Sequence, residues 1–120
     1  MGWCSMKPRD REVLEAIAES ARVADEYARD EGPEWLADSK TVDAVAKRVE
    51  QIGELARHLS PEILALMPNV PWRKVKGTRT FLAHDYENVD LDILREVVTD
   101  DLPILRAAVG STLSEADEQG

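Results

Sequence analysis

The sequence predicts an all-α protein, a bundle of four to five helices running up and down around one core. Three observations predict it. Apolar residues recur at steps of three and four over long stretches, no stretch alternates as a strand would, and aromatics are only 5% of a chain rich in Ala, Leu, Val and Glu. The 120 residues and 13.4 kDa suffice for one domain. With 43% hydrophobic and 32% charged residues the composition is that of a globular protein, and no apolar run approaches the roughly 18 residues of a membrane span.

Residues 1–7 are expected to be a disordered lead-in, residues 8–113 the helical domain, and residues 114–120 a frayed polar tail. The first helix is expected from Pro8 to about Arg29, with Val13, Ile17, Ala21, Ala24 and Ala28 on one face and Gly32-Pro33 as its stop. The second spans Ser39 to His58 and carries the stripe Val42, Val45, Val49, Ile52, Ala56 and Leu59. Ala46 and Gly53 lie along it, small enough to let a neighbouring backbone approach. Ser60-Pro61-Glu62 reads as an N-cap, a first-turn proline and an early acid opening a short helix to Met67. A third substantial helix is expected from about Pro71 into the low 80s. A fourth starts at Asp90 and runs through Leu91, Leu94, Val98, Leu102, Leu105, Val109 and Leu113, with a kink or a restart capped by Asp100 or Asp101 where Pro103 interrupts it.

A single cysteine, Cys4, rules out an intramolecular disulfide and a multi-cysteine zinc cage. The start Met1-Gly2-Trp3-Cys4-Ser5-Met6 matches neither a secretory signal nor a myristoylation site, so a cytoplasmic location is expected. Net charge is -9, against coating nucleic acid by bulk electrostatics. Locally the balance reverses: from Ile63 to His84 there is no acid, while Arg73, Lys74, Lys76 and Arg79 are basic. That strip reads either as a solvated helix face or as a set of phosphate contacts.

On an ideal helix Trp72, Val75, Arg79, Leu82 and Tyr86 share one stripe, which puts a guanidinium where a core residue belongs. Left dry and unpaired, it costs several kcal/mol, on the order of a lost buried ion pair. An interhelical ion pair, with Glu50 or Glu54 as candidates, and a functional cleft both answer that need. His84 points roughly 140° away from Arg79 on a straight helix, and Tyr86 returns to the same side about 10 Å further on. The three converge only if the helix ends or bends near His84, or if a second copy of the chain completes the site.

The stretch Pro71-Trp72-Arg73-Lys74-Val75-Lys76-Gly77-Thr78-Arg79-Thr80-Phe81-Leu82-Ala83-His84-Asp85-Tyr86 resembles the signature of the HepT-like branch of the HEPN superfamily, whose core is Arg, four residues, His, one residue, Tyr. Val45 to Ala56 followed by Leu59-Ser60-Pro61-Glu62 is similar to that family's second helix, and Asp100-Asp101-Leu102-Pro103 to its closing helix. The likeness covers about residues 10 to 110. Family members usually carry Asn or another strongly polar residue after the Arg, where this chain has Thr80, whose hydroxyl still donates and accepts.

The resemblance implies a homodimeric, metal-independent endoribonuclease, the toxin of a toxin-antitoxin pair with a minimal nucleotidyltransferase as antitoxin. It makes Arg79 and His84 the catalytic pair, Thr80 their support and Tyr86 a catalytic or regulatory residue, the latter by adenylylation. Arg73, Lys74 and Lys76 are the expected contacts to RNA phosphates. No cofactor and no metal is expected, since His84-Asp85 lacks the ligand count of a metal site. His58 reads as a helix-end cation, and Trp35 and Trp72 as packing anchors. The competing class is a non-catalytic helical module that binds a nucleotidyltransferase or a nucleotide.

Overall fold

A computed structural model describes residues 6–78 and 89–119, which form helices joined by short connections, with no strand among them. Helix α1 spans Pro8–Glu31, with Pro8 at its first turn and Gly32 closing it by donating its N–H to the Ala28 carbonyl. Gly32 has φ 101°, a conformation that suits glycine. A 3-10 turn over Trp35–Ala37 buries Trp35, and Asp38 caps helix α2, Ser39–Ala56, accepting from the Thr41 N–H and hydroxyl. Those two bonds hold the Asp38 carboxyl below its usual pKa.

Helix α2 packs antiparallel along α1, bringing Leu14, Ile17, Ala21 and Ala24 against Val45, Val49 and Ile52 in one core. Asp10, only 3% exposed, ties the first turn of α1 to the next element. Its carboxylate accepts the Ser60 N–H at 3.1 Å and the Ser60 hydroxyl at 2.7 Å, while the Ser60 oxygen accepts the Ile63 N–H and caps α3, Pro61–Ala65. The cap expected at Ser60 is thus itself held by a distant acid. Trp72 donates its indole N–H to the Met67 carbonyl and opens α4, Trp72–Lys76.

The sequence-based expectation of one helix from Pro71 into the low 80s is corrected within the described residues: α4 closes at Gly77, whose N–H returns to the Arg73 carbonyl. Thr78 is helical again, but its hydroxyl donates back to the Val75 carbonyl at 2.6 Å, a local bond that competes with regular helix. Asp90 caps α5, Leu91–Glu96, by accepting from the Asp92 and Ile93 N–H groups.

Pro103 does not lead to the capped restart at Asp100 or Asp101. The chain passes it through a π-helical turn, Val97–Asp101, in which the Leu102 N–H reaches the Val97 carbonyl, and continues as α6, Leu102–Gln119. Proline lacks an N–H and its ring crowds the carbonyl four residues back, so a widened turn before it relieves both problems. The tail is also corrected: α6 runs to Gln119, buries Ala116 and pairs Asp117 with Arg11 at 2.6 Å, because α6 lies antiparallel to α1. At the other end Met6, inside the stretch expected as lead-in, packs against the core.

Candidate functional site

Arg79, Thr80, His84 and Tyr86 lie outside the described residues, as do Cys4 and Asp85. The structure bears on the candidate site through the elements on either side of it. On the leading side Gly53 of α2 faces α4 so closely that a Cβ there would stand 2.6 Å from the Val75 carbonyl oxygen. Thr78, immediately before Arg79, is 4% exposed and packs on the same glycine. The close approach that the small residues of the second helix predict is therefore real at Gly53, and it fixes the backbone up to the motif. On the trailing side Asp90, four residues after Tyr86, caps α5, and α5 is anchored by the fully buried Leu94.

The basic strip does not form one face. Lys74 and Lys76 are two residues apart on α4, about 160° around the helix. Lys74 turns toward α5 and the π turn, where its ammonium meets Glu96 and, at 2.7 Å, Asp101. Burial by itself would lower its pKa, but the Asp101 and Glu96 carboxylates outweigh that and raise it above the ordinary lysine value. Lys76 turns toward α2, and Arg73 is exposed. Of the three phosphate contacts expected, Lys74 is the one engaged by two carboxylates among the described residues.

Beside Lys76 a groove of about 550 Å³ runs along α2, lined by Lys47, Glu50, Gln51, Glu54, Arg57 and Lys76 with Gly53 at its floor. Lys47, Glu50, Gln51 and Glu54 recur at helical spacing opposite the apolar stripe, so their shared face was readable. That the face borders the motif was not, since it depends on α4 docking at Gly53. The groove mixes three cations, two carboxylates and an amide, a donor and acceptor set suited to a polar strand rather than to an apolar ligand.

The remaining residues behave structurally. His58 sits exposed past the end of α2, its Nδ1 3.4 Å from the Arg9 guanidinium. Trp35 is buried and Trp72 half-buried, as packing anchors are. Among the described residues no three His, Cys, Asp or Glu side chains are grouped to hold a metal ion, and no helix is long and apolar enough to cross a membrane.

A helical frame thus flanks the Arg-x4-His-x-Tyr sequence on both sides. The family model described as "Ribonuclease HepT-like" matches residues 13–111, and the chain belongs to that family. It is 35% identical over 102 residues, 84% of its length and 93% of the other's, to "Probable ribonuclease HepT" of Thermococcus cleftensis. Two proteins of Methanocaldococcus jannaschii are also similar. "Putative RNase MJ1380" is 32% identical over 87% of this chain and 97% of its own length. "Gamma-glutamylcyclotransferase and putative RNase MJ0434" is 33% identical over 88% of this chain, which spans 48% of that longer protein. No solved structure matches the chain.

Proposed function

We propose that this protein is a metal-independent endoribonuclease, the toxin of a toxin-antitoxin pair, acting in the cytoplasm on single-stranded RNA. The observation that carries the reading is the family match over residues 13–111, which takes in Arg79, His84 and Tyr86 in their full spacing. RNA brings its own nucleophile. The 2'-hydroxyl loses its proton to a base and attacks the adjacent phosphorus, the 5'-oxygen leaves with a proton from an acid, and a 2',3'-cyclic phosphate remains. His84, with a reference pKa near 6.5, serves as base or acid at neutral pH. Arg79 offers two parallel donors to the phosphate oxygens that gain charge.

In an in-line displacement the attacking 2'-oxygen and the leaving 5'-oxygen lie on opposite sides of the phosphorus, so a single imidazole is poorly placed to take a proton from the one and give it to the other. A homodimer that faces two motif segments across one cleft supplies the second, with Thr80 holding the Arg79 side of each site. Single-stranded RNA then enters along the α2 groove, with Lys76, Arg57 and Lys47 and the exposed Arg73 as phosphate contacts. Control falls to Tyr86. A minimal nucleotidyltransferase antitoxin would transfer AMP from ATP to the Tyr86 hydroxyl, releasing pyrophosphate and placing bulk and negative charge where RNA phosphate must sit.

The test is cleavage of labelled single-stranded RNA, with a chelator present, by unmodified protein and by His84→Ala. Cleavage by the first alone is expected. Equal behaviour of the two, on folded dimeric samples whose mass shows Tyr86 unmodified, refutes the nuclease and leaves a helical module that binds its nucleotidyltransferase. Intact mass after co-production with the transferase reads the control step, which predicts one adenylyl group lost in Tyr86→Phe.

A further inference from the structure

Lys74 and its two carboxylates straddle the motif segment. Lys74 precedes Arg79 by five residues, whereas Glu96 and Asp101 follow Tyr86 by ten and fifteen. Their contact therefore joins the stretch of chain that enters the segment to the stretch that leaves it. Asp101 is delivered by the π turn that Pro103 requires, and its side chain is only 15% exposed, that of Lys74 31%. Such shelter reduces screening by salt and distinguishes the pair from an ordinary surface ion pair.

The same stretch of chain is held a second time by the Gly53 approach, where the Val75 carbonyl and the Thr78 side chain lie against α2. Thr78 lies one turn after Lys74 and donates its hydroxyl to the Lys74 and Val75 carbonyls, so the ion pair and the α2 contact hold one and the same end of α4, the end that leads into the motif.

We infer that Lys74 is a positioning residue for the Arg79 to Tyr86 segment, acting through Glu96 and Asp101, and makes no contact with RNA. The inference rests on the nuclease reading for its kinetic consequences and on geometry for its structural one. It makes Asp101 as important as Lys74, although an acid beside a phosphate site would otherwise oppose RNA.

The test compares wild type, Lys74→Met, Lys74→Arg, Asp101→Asn and the Lys74→Met/Asp101→Asn double variant in RNA cleavage over a range of salt, with thermal melts. Lys74→Met and Asp101→Asn are each expected to lower kcat about tenfold, in line with the loss that sub-ångström misplacement causes. KM and the salt slope should stay at the wild-type values, the double variant should be no worse than the worse single one, and Lys74→Arg should recover most of the rate. A raised KM and shallower salt slope for Lys74→Met, with Asp101→Asn neutral or tighter in binding, would assign Lys74 to RNA and overturn the inference. So would wild-type kcat in both single variants.

Should the wild type itself not cleave, the nuclease reading fails and NMR of the His84 imidazole decides the positioning separately. His84 resonances shifted alike in Lys74→Met, Lys74→Arg to a lesser degree, and Asp101→Asn support it. Unshifted resonances refute it.

Discussion

Gly53→Ala tests how closely α2 and α4 control the site. The added Cβ would stand 2.6 Å from the Val75 carbonyl oxygen, inside the 3.0 Å that real Cβ contacts respect, and ordinary contact begins near 3.4 Å. The opposing group is backbone, so α4 must recede by several tenths of an ångström. Crowding of this kind costs about 1–3 kcal/mol. Alanine in a helix interior recovers about 1 kcal/mol over glycine. The net loss is therefore about 1 kcal/mol, or about 4 °C in Tm for a domain of this size. Activity should suffer more than stability, by about tenfold in kcat, because Thr78 shifts with α4 and leads directly into Arg79. Gly110 supplies the control: it lies in α6 with no described atom within 4 Å of its would-be Cβ, so Gly110→Ala should raise Tm. Melts and RNA cleavage on both variants read the outcome. If Gly53→Ala stabilises as Gly110→Ala does, or cleaves at the wild-type rate, the two-helix contact does not set the site.

Asp10→Ala leaves the Ser60 N–H and hydroxyl without their buried acceptor and should cost about 2–4 kcal/mol by chemical denaturation, with a coupling of about 1 kcal/mol or more to Ser60→Ala in a double-mutant cycle. Arg57→Ala should weaken binding of a non-cleavable 2'-deoxy oligonucleotide similarly across sequences and reduce the salt slope by about one, whereas Arg22→Ala, on α1, should leave both unchanged. Because the folded pKa of Lys74 is raised, its contribution to stability is complete below the unfolded lysine value near 10.4 and disappears as pH climbs through the higher folded one. Melts between pH 9 and 12 should show wild type losing an increment that Lys74→Met lacks throughout, and parallel curves would contradict the ion pair.

Much of the frame was legible because helix period, caps and breakers are local properties. The stripe from Val42 to Leu59, the Ser60-Pro61 start, the Gly32 stop and the Asp90 cap all follow from neighbours within one or two turns. Gly53 was legible as a small residue in such a stripe, though not what would press against it. One local reading went astray for a local reason: Gly77 with the back-bonding Thr78 hydroxyl ends α4 early. Pro103 does interrupt the regular helix, though through a π turn rather than a capped restart. The polar tail was misjudged because its helix is held from outside, by burial of Ala116 and by the contact of Asp117 with Arg11 in the first turn of α1.

By itself, then, the sequence determined the helical frame of the described residues and named the candidate chemistry between Arg79 and Tyr86, since periodicity and residue type are written in short windows. Tertiary structure alone decided the directions. Lys74 and Lys76 look equivalent along the chain, yet α4 is docked between α2 and the π turn, so one meets Asp101 and the other a groove. Asp10 and Ser60 are 50 residues apart and meet only because α1 and α2 fold back on each other. Charge and spacing are properties of the chain, but which charge faces which depends on how helices pack.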